Sequence, residues 1–336
     1  MGLMRYIAVR AALIIPTVLI LYTLVFIILR ILPGNPVLAV LGTKNIPEEQ
    51  LQELMHQLHL DLPPYVQYFD YLWGILHGDF GTSMIIKGRS ITADIVERLP
   101  ATMELSVTAL VISLLIGLSL GVIASVKRDS PTDLSLRVAG AVTYTLFIPW
   151  LGLLFQMIFA LWLGILPVSG RIDPGVNLNV ITGFYILDSI ITWNMPAFQS
   201  AVSHLVLPAL TLGIVLSGPY LRLIRGSMIK QFESNYIIAY YARGVSKSKV
   251  IFHAFRNALI PVVTYAGLQL ALLMGGAVLT ETTFDWPGIG TYLVEKVNYR
   301  DYPAVQAIVI VFALFVGAIS LIVDLIYAYL DPRIRY

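Results

Sequence analysis

Long apolar runs broken by short charged stretches dominate the chain. A helix rises 1.5 Å per residue, so about 20 mainly apolar residues cross a hydrocarbon layer of roughly 30 Å. Six runs meet that length: about Ala11 to Leu29, Leu105 to Val126, Val138 to Leu163, Leu205 to Leu221, Ala258 to Leu279 and Ala304 to Val323. Pro149 falls inside the third, and Pro208 and Pro219 inside the fourth. Prolines at membrane depth are tolerated where neighbouring helices satisfy the freed carbonyls, so these predict a packed bundle with kinked members. The expected fold class is an all-α membrane protein with six transmembrane helices. Arg5 and Arg10 precede the first run as in a secretory leader, but the run is longer than such a leader's core. Arg30-Ile31-Leu32-Pro33 follows it instead of a small-residue cleavage site, so it reads as an uncleaved first helix.

Between the first two runs the pattern changes from continuous to striped. Residues 47–60 begin with Pro47 and place Leu51, Leu54, Met55 and Leu58 on one helical face. Residues 65–76 do the same with Tyr65, Tyr68, Phe69, Leu72, Trp73 and Leu76, a stripe suited either to the headgroup layer or to packing on the bundle. His56 and His59 lie at i, i+3, but without a third ligand they read as solvent-facing histidines, and no metal site is assigned. The loop from about Gly164 to Ser203 is rich in Pro, Gly and Asn and carries no recognisable chemistry. In the next, about Thr280 to Pro303, Pro287-Gly288 suits the centre of a type II turn, with Trp286 as an interfacial anchor.

Charge sets the orientation. If the N-terminus lies inside, fourteen of the 22 Lys and Arg residues fall on that side, and the acidic residues there are only Asp129, Asp133, Glu233, Asp324 and Asp331. Basic loops stay cytoplasmic, so both termini are expected in the cytoplasm of a multi-pass plasma-membrane protein. Of all residues 57% are hydrophobic and 12% charged, half the charged share of a soluble domain. The net charge of +2 gives no field for nucleic acid, and the absence of cysteine removes disulfides and thiolate metal sites.

Seven of the inside basic residues lie in one stretch, Arg222 to Asn257, which reads as helix–Gly–helix. Met228, Phe232, Tyr236 and Tyr240 recur every four residues as a ridge. Gly244 stands where a left-handed helix cap is needed, and Ser246 is placed to cap a helix from Lys247. By pattern alone this is either a helix lying on anionic lipid or one presenting its ridge to a cytoplasmic partner.

Residues 235–264, NYIIAYYARGVSKSKVIFHAFRNALIPVVT, resemble the EAA loop of ABC importer permeases, above all the oligopeptide/dipeptide class. Further matching stretches follow in order: Pro33-Gly34-Asn35-Pro36, Gly78-Asp79-Phe80-Gly81-Thr82-Ser83, Arg98-Leu99-Pro100-Ala101-Thr102 and His204-Leu205-Val206-Leu207-Pro208-Ala209-Leu210. Near the end come Glu281-Thr282, Trp286-Pro287-Gly288-Ile289-Gly290, Arg300-Asp301-Tyr302-Pro303 and Tyr329-Leu330-Asp331-Pro332-Arg333. The resemblance implies a type I importer permease of the B-type subunit, organised as 1–30, an extracytoplasmic helical segment 31–104, a five-helix core 105–330 with a coupling loop 226–257, and a tail 331–336. It implies half of a translocation pathway for peptides or a similar small solute, oligosaccharide and nickel being the alternatives within the family. Implied partners are a second permease (a heterodimer), two cytoplasmic ATP-binding subunits and an extracytoplasmic binding protein. Coupling falls to Tyr236, Tyr240, Tyr241, Ala242, Arg243, Gly244 and Val245. Where the family often has Arg, Ala and Arg, this chain has Ile238, Tyr240 and Tyr241, which implies a less acidic groove on the ATPase.

The chain has no G-x-x-x-x-G-K-[ST] phosphate loop and no catalytic constellation, so it reads as no enzyme, needs no cofactor, and takes its energy from another polypeptide. An ion-coupled carrier would show buried ionisable residues. Here Glu104, Arg222, Arg225 and Asp324 fall near span ends, where they can reach water, and the interior polar residues are Gln156, Gln269 and Gln306. These three are candidates for lining the pathway or, more commonly, for interhelical hydrogen bonds. Gly117 and Gly121 form a G-x-x-x-G and Gly275 and Gly276 pair in the fifth span, both read as close helix packing.

Overall fold

The computed structural model describes residues 3–31, 55–56, 61–85 and 88–330, so the expected helix over 47–60 apart from Met55 and His56, as well as His59, the motif at 33–36 and the tail 331–336, lie outside the described residues. Among the described residues twelve named helices follow in order: α1 (Leu3–Ile31), α2 (Pro64–Leu76), α3 (Ile91–Val126), α4 (Pro131–Thr145), α5 (Ile148–Phe155), α6 (Tyr185–Ile191), α7 (Met195–Phe232), α8 (Asn235–Ala242), α9 (Lys247–Gly276), α10 (Val278–Thr283), α11 (Ile289–Asn298) and α12 (Tyr302–Leu330). α5 runs on into a wider π-helical segment, Gln156–Trp162. Among the described residues five helices are long and apolar enough to cross a membrane, and the bent pair α4–α5, taken as one span, makes a sixth. The end of the bundle holding the first turn of α1 and the last of α12 is called proximal below, the opposite end distal.

The third crossing departs from the sequence expectation of one helix kinked at Pro149. It breaks at Leu146 and Phe147, both extended, and turns through 99°. Pro149 then falls in the first turn of α5, where its missing N–H has no intrahelical partner to lose. The fourth crossing is the middle of a 38-residue helix that continues through Pro208 and Pro219. Asn194 caps it, accepting from the Ala197 N–H at 3.1 Å. α7 is the central helix and its small residues set how closely the others approach. The G-x-x-x-G of α3 faces it: a Cβ on Gly117 would lie 2.5 Å from the Tyr220 Cβ, and one on Gly121 would collide with Ile224. Gly140 of α4 meets Gly218 of α7 so closely that a Cβ on Gly218 would strike the Gly140 carbonyl. Without much hydrophobic drive between helices in lipid, such dispersion contacts supply the association energy.

Of the charged residues near span ends, Glu104, Arg225 and Asp324 are ion-paired, and the Arg222 guanidinium lies 5.5 Å from the Tyr144 ring centroid. At the proximal end Arg225 grips the buried Asp133 with two bonds of 2.6 Å, and Arg10 reaches Asp324 at 3.2 Å, joining α1 to α12. Glu104, expected to reach water, is instead buried, and accepts from Arg171 at 2.6 Å and from the Ile186 N–H at 2.9 Å. Arg171 also donates to the Gly183 carbonyl at 2.7 Å, so this pair clamps the loop before α6 onto α3.

Candidate functional site

Two places gather the sequence motifs. At the distal end, three of them form one knot around the Glu281 carboxylate. Thr102 donates to its Oε1 at 2.6 Å and Thr291 N–H to its Oε2 at 3.0 Å. The Thr102 hydroxyl also accepts from Ile289 N–H at 2.8 Å. Trp286 is fully buried and its Nε1 donates to the Ala101 carbonyl at 2.9 Å, so it anchors the loop to α3 and not to the membrane interface. The expected type II turn is absent as well. Gly288 has φ −94°, and Asp285 carries the positive φ, 48°. Gly288 is needed for space, since a Cβ there would enter the Glu281 carboxylate. Burial pushes the Glu281 carboxyl above its ordinary range, against these hydrogen bonds, which favour the charged form. A second distal joint links Gly78–Ser83 to Arg300–Pro303: Ser83 donates to Asp301 at 2.5 Å, and the buried Lys296 ammonium lies 3.5 Å from the same carboxylate.

The proximal site is the α8–α9 elbow. Its turn is a Schellman cap: Val245 N–H donates to the Tyr240 carbonyl and Gly244 N–H to the Tyr241 carbonyl, both at 3.0 Å, with Gly244 at φ +71°. The left-handed position expected at Gly244 is there. Ser246 precedes α9 in extended conformation, but its side chain makes no capping bond.

The elbow's faces differ from the expected arrangement. Met228 is fully buried, and Phe232, Tyr236 and Tyr240 are partly buried in a cluster with Ile237, Val250, Ala254, Ala258 and Val262. The ridge therefore packs on α9 of its own chain and is not presented outward. Asn257 donates to the Tyr236 hydroxyl at 3.1 Å, and the Tyr240 ring lies 5.1 Å from that of His253. The physical reason is the sharp turn at Gly244: it folds α8 back on α9, and the two helices bury their facing stripes together. The exposed residues include Ile238, Tyr241, Ala242, Arg243 and Gly244 on α8 and its cap, then Lys247, Lys249, Phe252 and Arg256 on α9. Ile238 at 60% and Phe252 at 61% exposure are large apolar side chains without cover at the bundle's basic end. Val245 is half-buried beneath the turn.

The three glutamines do not converge. Gln156, buried where the π-helical segment begins, donates to the carbonyls of Val168 at 2.9 Å and Thr283 at 3.0 Å, tying loops at the distal end. Gln306 is buried near the start of α12, its Nε2 without a hydrogen-bond partner among the described residues. Gln269 is half-buried on α9. Sequence reasoning missed Arg171 and Asp133, which lie in loops or helix starts and signal nothing until their partners 67 and 92 residues away are known.

A helical bundle whose long helices are apolar enough to cross a membrane, with an exposed helix–glycine–helix elbow at one end, has the form of a multi-pass membrane protein. Residues 113–336 match the family described as binding-protein-dependent transport system inner membrane component, and residues 3–106 match its N-terminal companion. The chain belongs to this family, as a multi-pass inner-membrane permease subunit of an ABC importer and not an enzyme. Over 335 residues it is 38% identical to the di/tripeptide transport system permease protein DppB of Pseudomonas aeruginosa, covering 99% of each. It is 38% identical over 339 residues to the dipeptide transport system permease protein DppB of Escherichia coli K12, again 99% of each. To the glutathione transport system permease protein GsiC of Salmonella choleraesuis it is 36% identical over 341 residues, 99% of this chain and 100% of that one.

Proposed function

We propose that this permease forms half of the pathway of a peptide importer and receives force from an ATP-hydrolysing subunit at the α8–α9 elbow. The observation that carries this is the elbow's two-sidedness. Tyr236, Tyr240 and Val245 hold it against α9, while Ile238, Tyr241, Ala242 and Arg243 leave an apolar knob with a basic rim uncovered. Such a knob fits an apolar groove on a soluble partner, with acidic groups at its edge for Arg243, Lys247 and Lys249. ATP closes the motor subunits, the elbow moves with them, and because α7 and α8 are joined through Glu233 and Ser234 the central helix moves too. Differential binding of ATP to two states of the assembly then drives alternating access.

A second, related permease completes the pathway, and a binding protein delivers cargo at the distal end. The proximal end is cytoplasmic, as the basic residues of 222–257 suggest. Peptide cargo follows the relatives' names, which specify dipeptides, di/tripeptides and glutathione. Gln306, whose buried Nε2 has no hydrogen-bond partner among the described residues, is the strongest pathway candidate of the three glutamines.

The test is uptake by proteoliposomes holding the permease pair, the ATPases and the binding protein. Dipeptide uptake should require ATP and all components. Gly244→Val should abolish it while the bundle still assembles. A Cβ at Gly244 meets nothing within 4 Å, so the cost is the backbone's alone, and a β-branched residue is strained at φ +71°. ATP-independent uptake driven by an ion gradient would overturn the reading.

A further inference from the structure

α2 carries two aromatic faces and only one is covered by protein. Tyr68, Tyr71, Leu72 and Ile75 pack with Tyr22, Phe26 and Ile310 of α1 and α12. On the adjoining flank, about 100° around the helix, Tyr65, Phe69, Trp73 and Leu76 are 63–71% exposed and form one stripe at helical spacing, so the single aromatic stripe read from the sequence divides into a packed and an uncovered half.

The depth of the seat says what meets that stripe. The Tyr22 hydroxyl donates to the Tyr68 carbonyl at 2.7 Å, and Thr23 Oγ1 lies 2.8 Å from the Tyr68 hydroxyl. Tyr22 is nine residues inside the Ile31 end of the apolar run Val9–Ile31, or about 13 Å along the helix axis. Ile310 lies eight residues into α12 from Tyr302, about 12 Å by the same rise. The Tyr68 side of α2 thus reaches below the distal edge of the apolar layer. Arg30, one residue inside Ile31, donates to Gln67 at 2.7 Å, and Tyr71 donates at 2.7 Å to the carbonyl of Pro303, one residue into α12, so α2 lies along that edge. Distal to Tyr22, α1 exposes Leu24, Ile27, Ile28 and Ile31, an aliphatic surface within an apolar run long enough to cross a bilayer.

The polar residues of α2 agree. Asp70 and the adjoining His77 are exposed along one edge of the stripe, about 100° and 80° around the helix from Phe69. One flank is therefore apolar and the next hydrated, the arrangement of a helix lying at a bilayer boundary. We infer that α2 is an interfacial helix sunk into the distal leaflet, its Tyr65–Phe69–Trp73–Leu76 stripe in contact with phospholipid acyl chains just below the headgroups. The occupant is bilayer lipid and not another subunit, and this holds whether or not the elbow couples to an ATPase.

The chain has no cysteine, so single thiols can be placed cleanly once the partner subunits are also freed of them. Nitroxide labels at Phe69→Cys, Trp73→Cys, Asp70→Cys and His77→Cys are read in the assembled transporter in phospholipid nanodiscs. Collisions with oxygen, which concentrates in lipid, should dominate over those with a water-soluble nickel chelate at 69 and 73, and the order should reverse at 70 and 77. Nickel dominance at 69 and 73 would mean a solvated face. Immobile labels shielded from both relaxants would mean a protein partner. Either overturns the inference. Independently, acyl-chain-brominated phosphatidylcholine should quench Trp73, seen as a smaller quenchable emission in Trp73→Tyr than in the unaltered chain. Equal quenchable emission in the two would contradict the seat.

Discussion

The Thr102 hydroxyl donates to Glu281 Oε1 at 2.6 Å while accepting from the Ile289 N–H, so one small side chain on α3 pins both α10 and α11. Thr102→Val keeps the shape but leaves a buried carboxylate oxygen and a buried N–H without that partner. Each such loss costs about 1–3 kcal/mol. The thermal unfolding midpoint of the purified subunit should fall markedly for Thr102→Val and little for Thr102→Ser, which retains the hydroxyl. Equal midpoints for the two variants would show that the knot does not depend on this bond.

Asp188 makes a pH prediction. Burial pushes its carboxyl upward, but the Thr182 hydroxyl at 2.6 Å and the N–H groups of Thr182, Ile181 and Gly183 outweigh this and hold it below its ordinary value of 3.8. A carboxyl lowered in the folded state contributes stability that is complete above the ordinary value and lost as pH falls through the folded one. Thermal stability should therefore decline with acid from about pH 4 downward. Asp188→Asn should be less stable at neutral pH and show a shallower acid decline, checked by unfolding midpoints across pH.

Arg225 and Asp133 tie α7 to α4 at the proximal end. Asp133 is fully buried, and Arg137 at 3.6 Å is a poorer partner than the two-pronged grip of Arg225. Removing one member of a buried pair costs about 3–5 kcal/mol, because the other charge stays behind. Arg225→Ala should lower the unfolding midpoint strongly. Arg225→Lys should recover only part, since an ammonium has no planar fork.

The six crossings were legible because lipid demands apolar runs of a fixed length, and that demand is written residue by residue. The G-x-x-x-G of Gly117 and Gly121 and the left-handed Gly244 were legible for the same local reason. The break before Pro149 was not, because a proline allows either a kink or a fresh helix start and only the packing of α5 decides. The ridge Met228–Phe232–Tyr236–Tyr240 was found but its direction was not, since periodicity defines a face without saying what covers it. Glu104 read as hydrated because its partner Arg171 lies 67 residues on, in a loop without pattern.

The proposed orientation is checked with thiols at two exposed positions. Asn179→Cys, in the distal loop before α6, should react with a membrane-impermeant maleimide in intact cells, whereas Ser248→Cys, at the start of α9, should react only after lysis. The reverse pattern would invert the orientation and with it the placement of the elbow.

The central claim is that the exposed side of α8 docks the ATP-hydrolysing subunit. Cysteines at Tyr241 and Ala242, which point away from α9, can be compared with one at Ile237, which is buried against it. In the assembled importer, paired with thiols along the groove of the ATPase, positions 241 and 242 should form crosslinks whose yield changes with ATP, and position 237 should form none. No crosslink from 241 or 242 in a complex that still hydrolyses ATP and imports its cargo would contradict the account.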